Sequence, residues 1–168
     1  MKFFYASLVL FVFVFNSCET ANKIYIVRHA ERGIDPLNDP HITAAGKQRA
    51  ETLKDILKDK KIRYIFSTQT NRTIETVTPL SKTNNISIQY YRNDTLPNFL
   101  QMLTHLKKNI LVAGHSNTMI PILDGLHLLH SIASIPDSGY NNIFIVTVKN
   151  GKVVTLNEST YESILLLK

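Results

Sequence analysis

Cysteine occurs once in these 168 residues, so no internal disulfide can brace the fold. No internal repeat and no low-complexity tract is visible, and the apolar and charged fractions are those of a globular chain. One hundred and sixty-eight residues suffice for one domain with a full core and are too few for two ordinary ones. Acidic residues are in deficit, 13 against 19 Lys and Arg, for a formal net charge of +6. That balance suits nucleic acid, an anionic membrane surface or a phosphorylated small substrate. No run of five basic residues exists, however, and the densest patch, Lys58 to Arg63, reads as the solvated end of a helix. Nucleic acid is therefore not an expected partner. Nor is there an apolar run long enough to cross a bilayer. The longest, Phe3 to Phe15, would span about 20 Å as a helix against a hydrocarbon core of ~30 Å.

That short run has another meaning. Lys2 precedes it and Asn16-Ser17-Cys18 follows, which is the layout of a secretory signal. The sole cysteine stands at its very end, and bacterial lipoprotein signals resemble this pattern: cleavage before the cysteine, which then receives lipid. The resemblance implies a signal peptide over 1–17, lipidation at Cys18, a short tether over 18–22 and a folded domain over 23–168. It also implies an exported, membrane-anchored protein of the bacterial cell envelope. An ordinary signal peptide and an uncleaved anchor are the alternatives.

Beyond the tether, apolar periodicity predicts strands at Lys23–Val27, Ile62–Phe66, Ile86–Tyr91 and Asn109–Ala113. Helices are predicted at Ala44–Lys58 behind Thr43 as N-cap, at Thr70–Lys82, Leu96–Lys107 and Ser116–Leu129, with Pro79 and Pro121 as points of distortion. Asn142–Val148 and Val153–Asn157 flank an Asn-Gly turn and predict a hairpin. Alternating strands and helices give one α/β domain with a mainly parallel central sheet, flanking helices and a C-terminal β-hairpin.

Residues 23–33 read KIYIVRHAERG, an apolar strand ending in ionisable groups that a core would not tolerate without partners. Two more strands end in the same flavour: Ser67 with Arg72 five residues on, and His115-Ser116. A parallel sheet brings such ends to one edge, where ligands of open α/β sheets bind. Two arginines, two histidines and hydroxyls in one crevice describe a site for a tetrahedral anion, because guanidinium forks pair oxyanions bidentately. No metal-ligand constellation is visible; His127 and His130 lack a third ligand, and no cofactor is expected.

Four segments then resemble the histidine phosphatase superfamily, which includes phosphoglycerate mutases. Val27-Arg28-His29-Ala30-Glu31 resembles its Arg-His-Gly/Ala signature, and Ile42-Thr43-Ala44-Ala45-Gly46 its Leu-Thr-x-x-Gly helix start. Ser67 to Thr76 resembles its Ser-x-x-x-x-Arg-Thr-x-Glu-Thr segment, and Leu111 to Ser116 its late Val-x-Gly-His motif. The resemblance implies a phosphoglycerate mutase-like fold and a phosphohistidine mechanism on His29, with Arg28, Arg72 and His115 on the non-bridging oxygens. Ser67, Ser116, Asn117 and Thr43 are further candidates for substrate contact, although Ser67 reads equally as a turn residue and Thr43 as a cap alone. For the proton donor it suggests Asp94, with Glu31, or no dedicated acid at all, as the alternatives.

Only about ten residues lie where longer mutases carry an enclosing insertion, so water is expected to intercept the phosphoenzyme. The expected activity is hydrolysis of phosphomonoesters on a small molecule. The alternatives are a phosphohistidine-type phosphoprotein substrate, or a tethered module that binds a phosphorylated ligand without turnover. The oligomeric state is left open. Since the tether enters at the amino end of the first strand and the site lies at its carboxyl end, the site is expected to face away from the bilayer. Labels near His115 are accordingly expected to show no lipid-depth contact.

Overall fold

The computed structural model describes residues 21–130 and 132–166. The signal peptide and Cys18 assigned from the sequence lie outside the described residues, as does the first part of the tether. Twelve elements follow in order: β1 (Asn22–Arg28), α1 (Ala44–Leu57), β2 (Ile62–Ser67), α2 (Asn71–Asn84), β3 (Ile88–Tyr90), a 3-10 turn (Asn93–Thr95), α3 (Leu96–His105), β4 (Asn109–Gly114), α4 (Ser116–Gly125), β5 (Asn142–Lys149), β6 (Lys152–Thr160) and α5 (Tyr161–Leu165). One six-stranded sheet runs in the order β3-β2-β4-β1-β5-β6. Strands β1 to β4 are mutually parallel and the β5–β6 hairpin is antiparallel to β1, so the sheet is mixed.

The period-two alternation of β1 and β4 explains the layering. Ile24, Ile26, Ile110 and Val112 point into a core with Phe99, Leu103, Met119 and Ile122 from α3 and α4. Tyr25, Val27, Leu111 and Ala113 point the other way, against Leu53, Ile56, Val77, Leu80 and Tyr161 from α1, α2 and α5. Both faces of the central strands are thus covered, which is why they read as continuous apolar runs. Every residue of these two clusters lies between Ile24 and Ile164, so a chain beginning at Ala21 retains the whole core.

Several boundaries differ from the expected ones, each for a local reason. β3 is three residues long rather than six, because only Ile88–Tyr90 finds a partner in β2. α4 stops at Gly125, and His127 adopts a left-handed backbone with φ 55°, so His127 and His130 do not share a helix. Pro79 sits inside α2, which nevertheless continues to Asn84. The short α5 carries a Thr160 cap that accepts from Ser163 N–H; the sequence pattern there is too short to show it.

Gly114 ends β4 immediately before His115, and a Cβ there would overlap the hydroxyls of Thr118 and Tyr91. Both hydroxyls are engaged, Thr118 Oγ1 by the N–H of His115 at 2.7 Å and Tyr91 Oη donating to Ala113 O at 3.2 Å. Gly114→Ala is expected to cost about 1–3 kcal/mol by overpacking, read as a lower urea midpoint at unchanged slope.

Candidate active site

The parallel order places the carboxyl ends of β2, β4 and β1 side by side. Arg28 is the last residue of β1, facing Gly114 in register. His29 follows it, and His29 N–H donates to Gly114 O at 2.8 Å. The rings of His29 and His115 stand edge to face, 5.3 Å apart. Arg72, in the first turn of α2, acts electrostatically on both rings, as does Arg28. The structure therefore brings Arg28, His29, Arg72 and His115 together across 87 residues of sequence.

Orientation fixes the chemistry of His29. Its Nδ1 lies 2.8 Å from the carbonyl oxygen of Ala30. A carbonyl can only accept, so Nδ1 carries the proton and Nε2 keeps the lone pair in the neutral ring. Burial lowers the His29 pKa to about 4; the Ala30 hydrogen bond opposes that shift, and Arg28, Arg72 and Arg32 add to it. His115 is lowered to about 4 as well, first by burial, then by Arg72, His29 and Arg28, with Asp39 opposing. Both rings are thus neutral near pH 7, and the positive field comes from the guanidinium groups.

Arg28 is buried, at 4% exposure, and the loop before β5 receives it. Its Nη1 donates to Pro136 O at 2.6 Å and to Asp137 O at 3.2 Å, and Nη2 reaches Asp137 Oδ1 at 3.4 Å. The Tyr140 ring lies under the guanidinium at 4.6 Å and stands 5.8 Å from the His29 ring. The Nε atoms of Arg28 and of Arg72 are buried without a partner.

A cation at the start of α2 opposes the helix dipole, and the sequence alone asks for an anion there. The protein supplies one of its own. Both carboxylate oxygens of Asp39 accept from Asn71 N–H, at 3.0 and 3.1 Å, and Oδ1 lies 3.5 Å from Arg72 Nη1. Glu75 meanwhile pins the same loop, accepting from Ile42 N–H at 2.8 Å and pairing with His41.

The remaining sequence candidates fall differently. Ser67 is fully buried and donates its hydroxyl to Thr68 O at 2.8 Å, so the turn reading applies to it. Its neighbour Thr68 places Oγ1 2.9 Å from His115 Nε2. Thr43 accepts from Gly46 N–H at 3.1 Å as an N-cap. Ser116 and Asn117 stand in the first turn of α4, beside His115.

Both candidate acids are paired with arginines, and Glu31 also acts electrostatically on His29. Glu31 is gripped by Arg49, whose Nε lies 2.9 Å from both carboxylate oxygens and whose Nη2 lies 2.6 Å from one. Burial alone would push Glu31 up, but the Arg49 contacts outweigh it and hold the carboxyl below its usual range. Asp94 forms an exposed pair with Arg92 at 2.7 Å, beyond β3 at the edge of the sheet, with β2 and β4 between it and β1.

Sequence reasoning missed Thr68, Asp39, Tyr140 and the 136–139 carbonyls. A topological signal existed for the last group. A hairpin strand antiparallel to β1 must start beside the end of β1, as Val27 facing Ile143 shows, so the Pro-Asp-Ser-Gly-Tyr turn before it had to border the site. A groove of about 940 Å³ lies elsewhere, along α3, α4 and β6, and none of the four converging groups lines it.

Because both imidazoles are held neutral, the unfolded chain binds more protons than the native one between pH 6.5 and about 4. Stability is expected to be full above pH 6.5 and to fall as pH drops towards 4. Urea titrations of wild type and His115→Gln across that window check it; the substitution should flatten the slope.

Comparison with known proteins bears on the family and the fold. The model of the histidine phosphatase superfamily (branch 1) matches residues 24–94. No curated protein matches the chain in sequence. Among solved structures, the protein histidine phosphatase SixA complexed with tungstate is similar at TM-score 0.64 and 19% identity, over 84% of this chain and 99% of that one. A mycobacterial glucosyl-3-phosphoglycerate phosphatase gives 0.63 at 10% identity, covering 84% and 98%. Phosphoglycerate mutase from Plasmodium falciparum gives 0.58 at 23%, covering 84% and 92%. The stretch from residue 24 to 94 thus matches the histidine phosphatase superfamily, branch 1, and the described chain around it has the fold of that superfamily's solved structures.

Proposed function

We propose that the protein is a phosphatase that carries the phosphoryl group transiently on His29 Nε2. The observation that supports this most directly is the His29 ring itself, neutral, buried and tautomerically fixed by Ala30 O among three arginines. The Nε2 lone pair attacks phosphorus in line and the bond to the leaving group breaks. Water then attacks phosphorus, the N–P bond breaks, and the products are the free leaving group and inorganic phosphate. Arg28, Arg72 and His115 offset the charge on the non-bridging oxygens, preorganised donors being worth about 3–4 kcal/mol each in the transition state. Ser116 and Asn117 border that phosphate position, and Thr68 orients His115.

The substrate is a phosphorylated small molecule or side chain whose leaving group needs little help from an acid. Glu31 and Asp94 are both committed to arginines, and that observation favours the phosphohistidine-type reading over a plain alkyl phosphate. Tethering through Cys18 to a bacterial envelope membrane completes the proposal, with the site at the end of β1 remote from the tether.

The test uses the chain from Ala21, with chelator present and an aryl phosphate as substrate. Turnover and an acid-labile phosphoenzyme are expected in wild type, and both should fall at least ~10³-fold in His29→Ala. Phosphoramidate should be cleaved faster than an alkyl phosphate. Phosphate binding with neither label nor turnover would favour the non-catalytic binding module.

A further inference from the structure

Three arginines and a cluster of six lysines occupy opposite ends of the sheet, with exposed Arg63 among the lysines. Arg28, Arg32 and Arg72 act on His29 at the carboxyl ends of the parallel strands. At the amino ends stand Lys23 in β1, Lys60 and Lys61 before β2, Lys107 and Lys108 before β4, and Lys152 opening β6. Backbone cross-links hold these segments together. Asn22 Nδ2 donates to Lys108 O at 3.3 Å, the N–H of Lys23 to Asn109 Oδ1 at 2.8 Å, and Asn109 Nδ2 to Lys60 O at 2.7 Å. Val148, at the end of β5, faces Asn22 in register. All six lysines are exposed. The ion pairs on this side of α1 are made by Lys54 and Lys58 with Glu51 and Asp55, and the exposed acid among the six is Asp59.

The choice of lysine is informative. A site for a bound oxyanion uses forked guanidinium groups, as the opposite end does, whereas a diffuse field towards a charged surface needs only hydrated point charges. One flank of the lysine end is also apolar. The 940 Å³ groove is lined there by Lys152, Val153 and Val154, and Leu129 at its rim is fully exposed. His127 is the one ring among the residues that line that groove, which are otherwise aliphatic or polar, with no Phe, Tyr or Trp on which nucleic-acid bases could stack.

The chain enters at this same end. Cys18 lies four residues before Asn22, a reach of at most ~14 Å. A lipid on Cys18 would hold the lysines within about two Debye lengths of the bilayer at physiological salt. The six steps of β1 set the proposed site about 20 Å further out.

We propose that this lysine-rich end, with Leu129 and Val154 beside it, is a docking surface for an anionic lipid bilayer, which holds the domain upright on its tether with the site facing outward. The inference extends the tethered-phosphatase reading but does not depend on lipidation for its own test. The chain from Ala21, which lacks the apolar run and Cys18, is sedimented with vesicles of phosphatidylglycerol and phosphatidylcholine, and with phosphatidylcholine alone. Binding to the anionic vesicles only, reversed by about 0.5 M salt, is expected. Lys60→Glu/Lys61→Glu/Lys107→Glu/Lys108→Glu should lower the partition coefficient at least ~10-fold, and Lys47→Glu at the other end should leave it unchanged. Neither variant should alter turnover of aryl phosphate. Absence of binding, equal binding to both vesicle types, an equal loss in Lys47→Glu, or tighter binding to duplex DNA than to vesicles would overturn the proposal. Failure of the full chain to acquire lipid in a bacterial host, with vesicle binding of the shorter chain intact, would instead remove the tether and leave the docking surface standing.

Discussion

Burial of a guanidinium at the end of β1 is the constraint from which the site is organised. Arg28 cannot be buried without acceptors for its donors, since an unpaired buried cation costs several kcal/mol. The loop from Pro136 to Tyr140 turns its carbonyls inward to meet it and lays an aromatic face beneath it. That arrangement fixes where the β5–β6 hairpin begins, and the hairpin in turn covers the outer edge of β1. The Nε donor of Arg28 is buried within this network without a partner.

Three arginines close to two imidazoles would be mutually destabilising if all five were charged. The site resolves this by burying the rings, which holds them neutral. The cost to the cations is moderated by two carboxylates, Asp137 at Arg28 and Asp39 at Arg72, and Asp39 also accepts from the first N–H of α2. The same physics sets the state of His29: a neutral ring whose Nδ1 proton is committed to Ala30 has its lone pair on Nε2, as the proposed attack on phosphorus requires. Stability and reactivity therefore share a cause, and an anion arriving at the site competes with Asp39 for Arg72.

The electrostatic polarity of the whole domain follows from the chain's direction through a parallel sheet. All carboxyl ends of β1 to β4 lie on one side, so residues just after strands gather there and residues just before strands gather opposite. Arg28, Arg72 and His115 belong to the first group; Lys60, Lys61, Lys107 and Lys108 belong to the second. A net charge of +6 is thereby divided into two fields of different chemistry, a forked and buried one and a hydrated and exposed one.

The sequence by itself determined the α/β class, the order of the elements and the convergence of Arg28, His29, Arg72 and His115. Those follow from local periodicity and from the rule that parallel strands align their ends, neither of which needs coordinates. Only the tertiary structure decided that Thr68 rather than Ser67 meets His115, and that Asp39 supplies the anion at Arg72. It also decided that Glu31 is spent on Arg49. Each of these rests on which of two adjacent side chains turns inward, or on a hydrogen bond between residues dozens of positions apart. Arg28 and its partner Pro136 are 108 residues apart, and no local pattern encodes a contact at that separation. The pairing is set by packing of the sheet against its helices, and packing is a property of the whole chain at once.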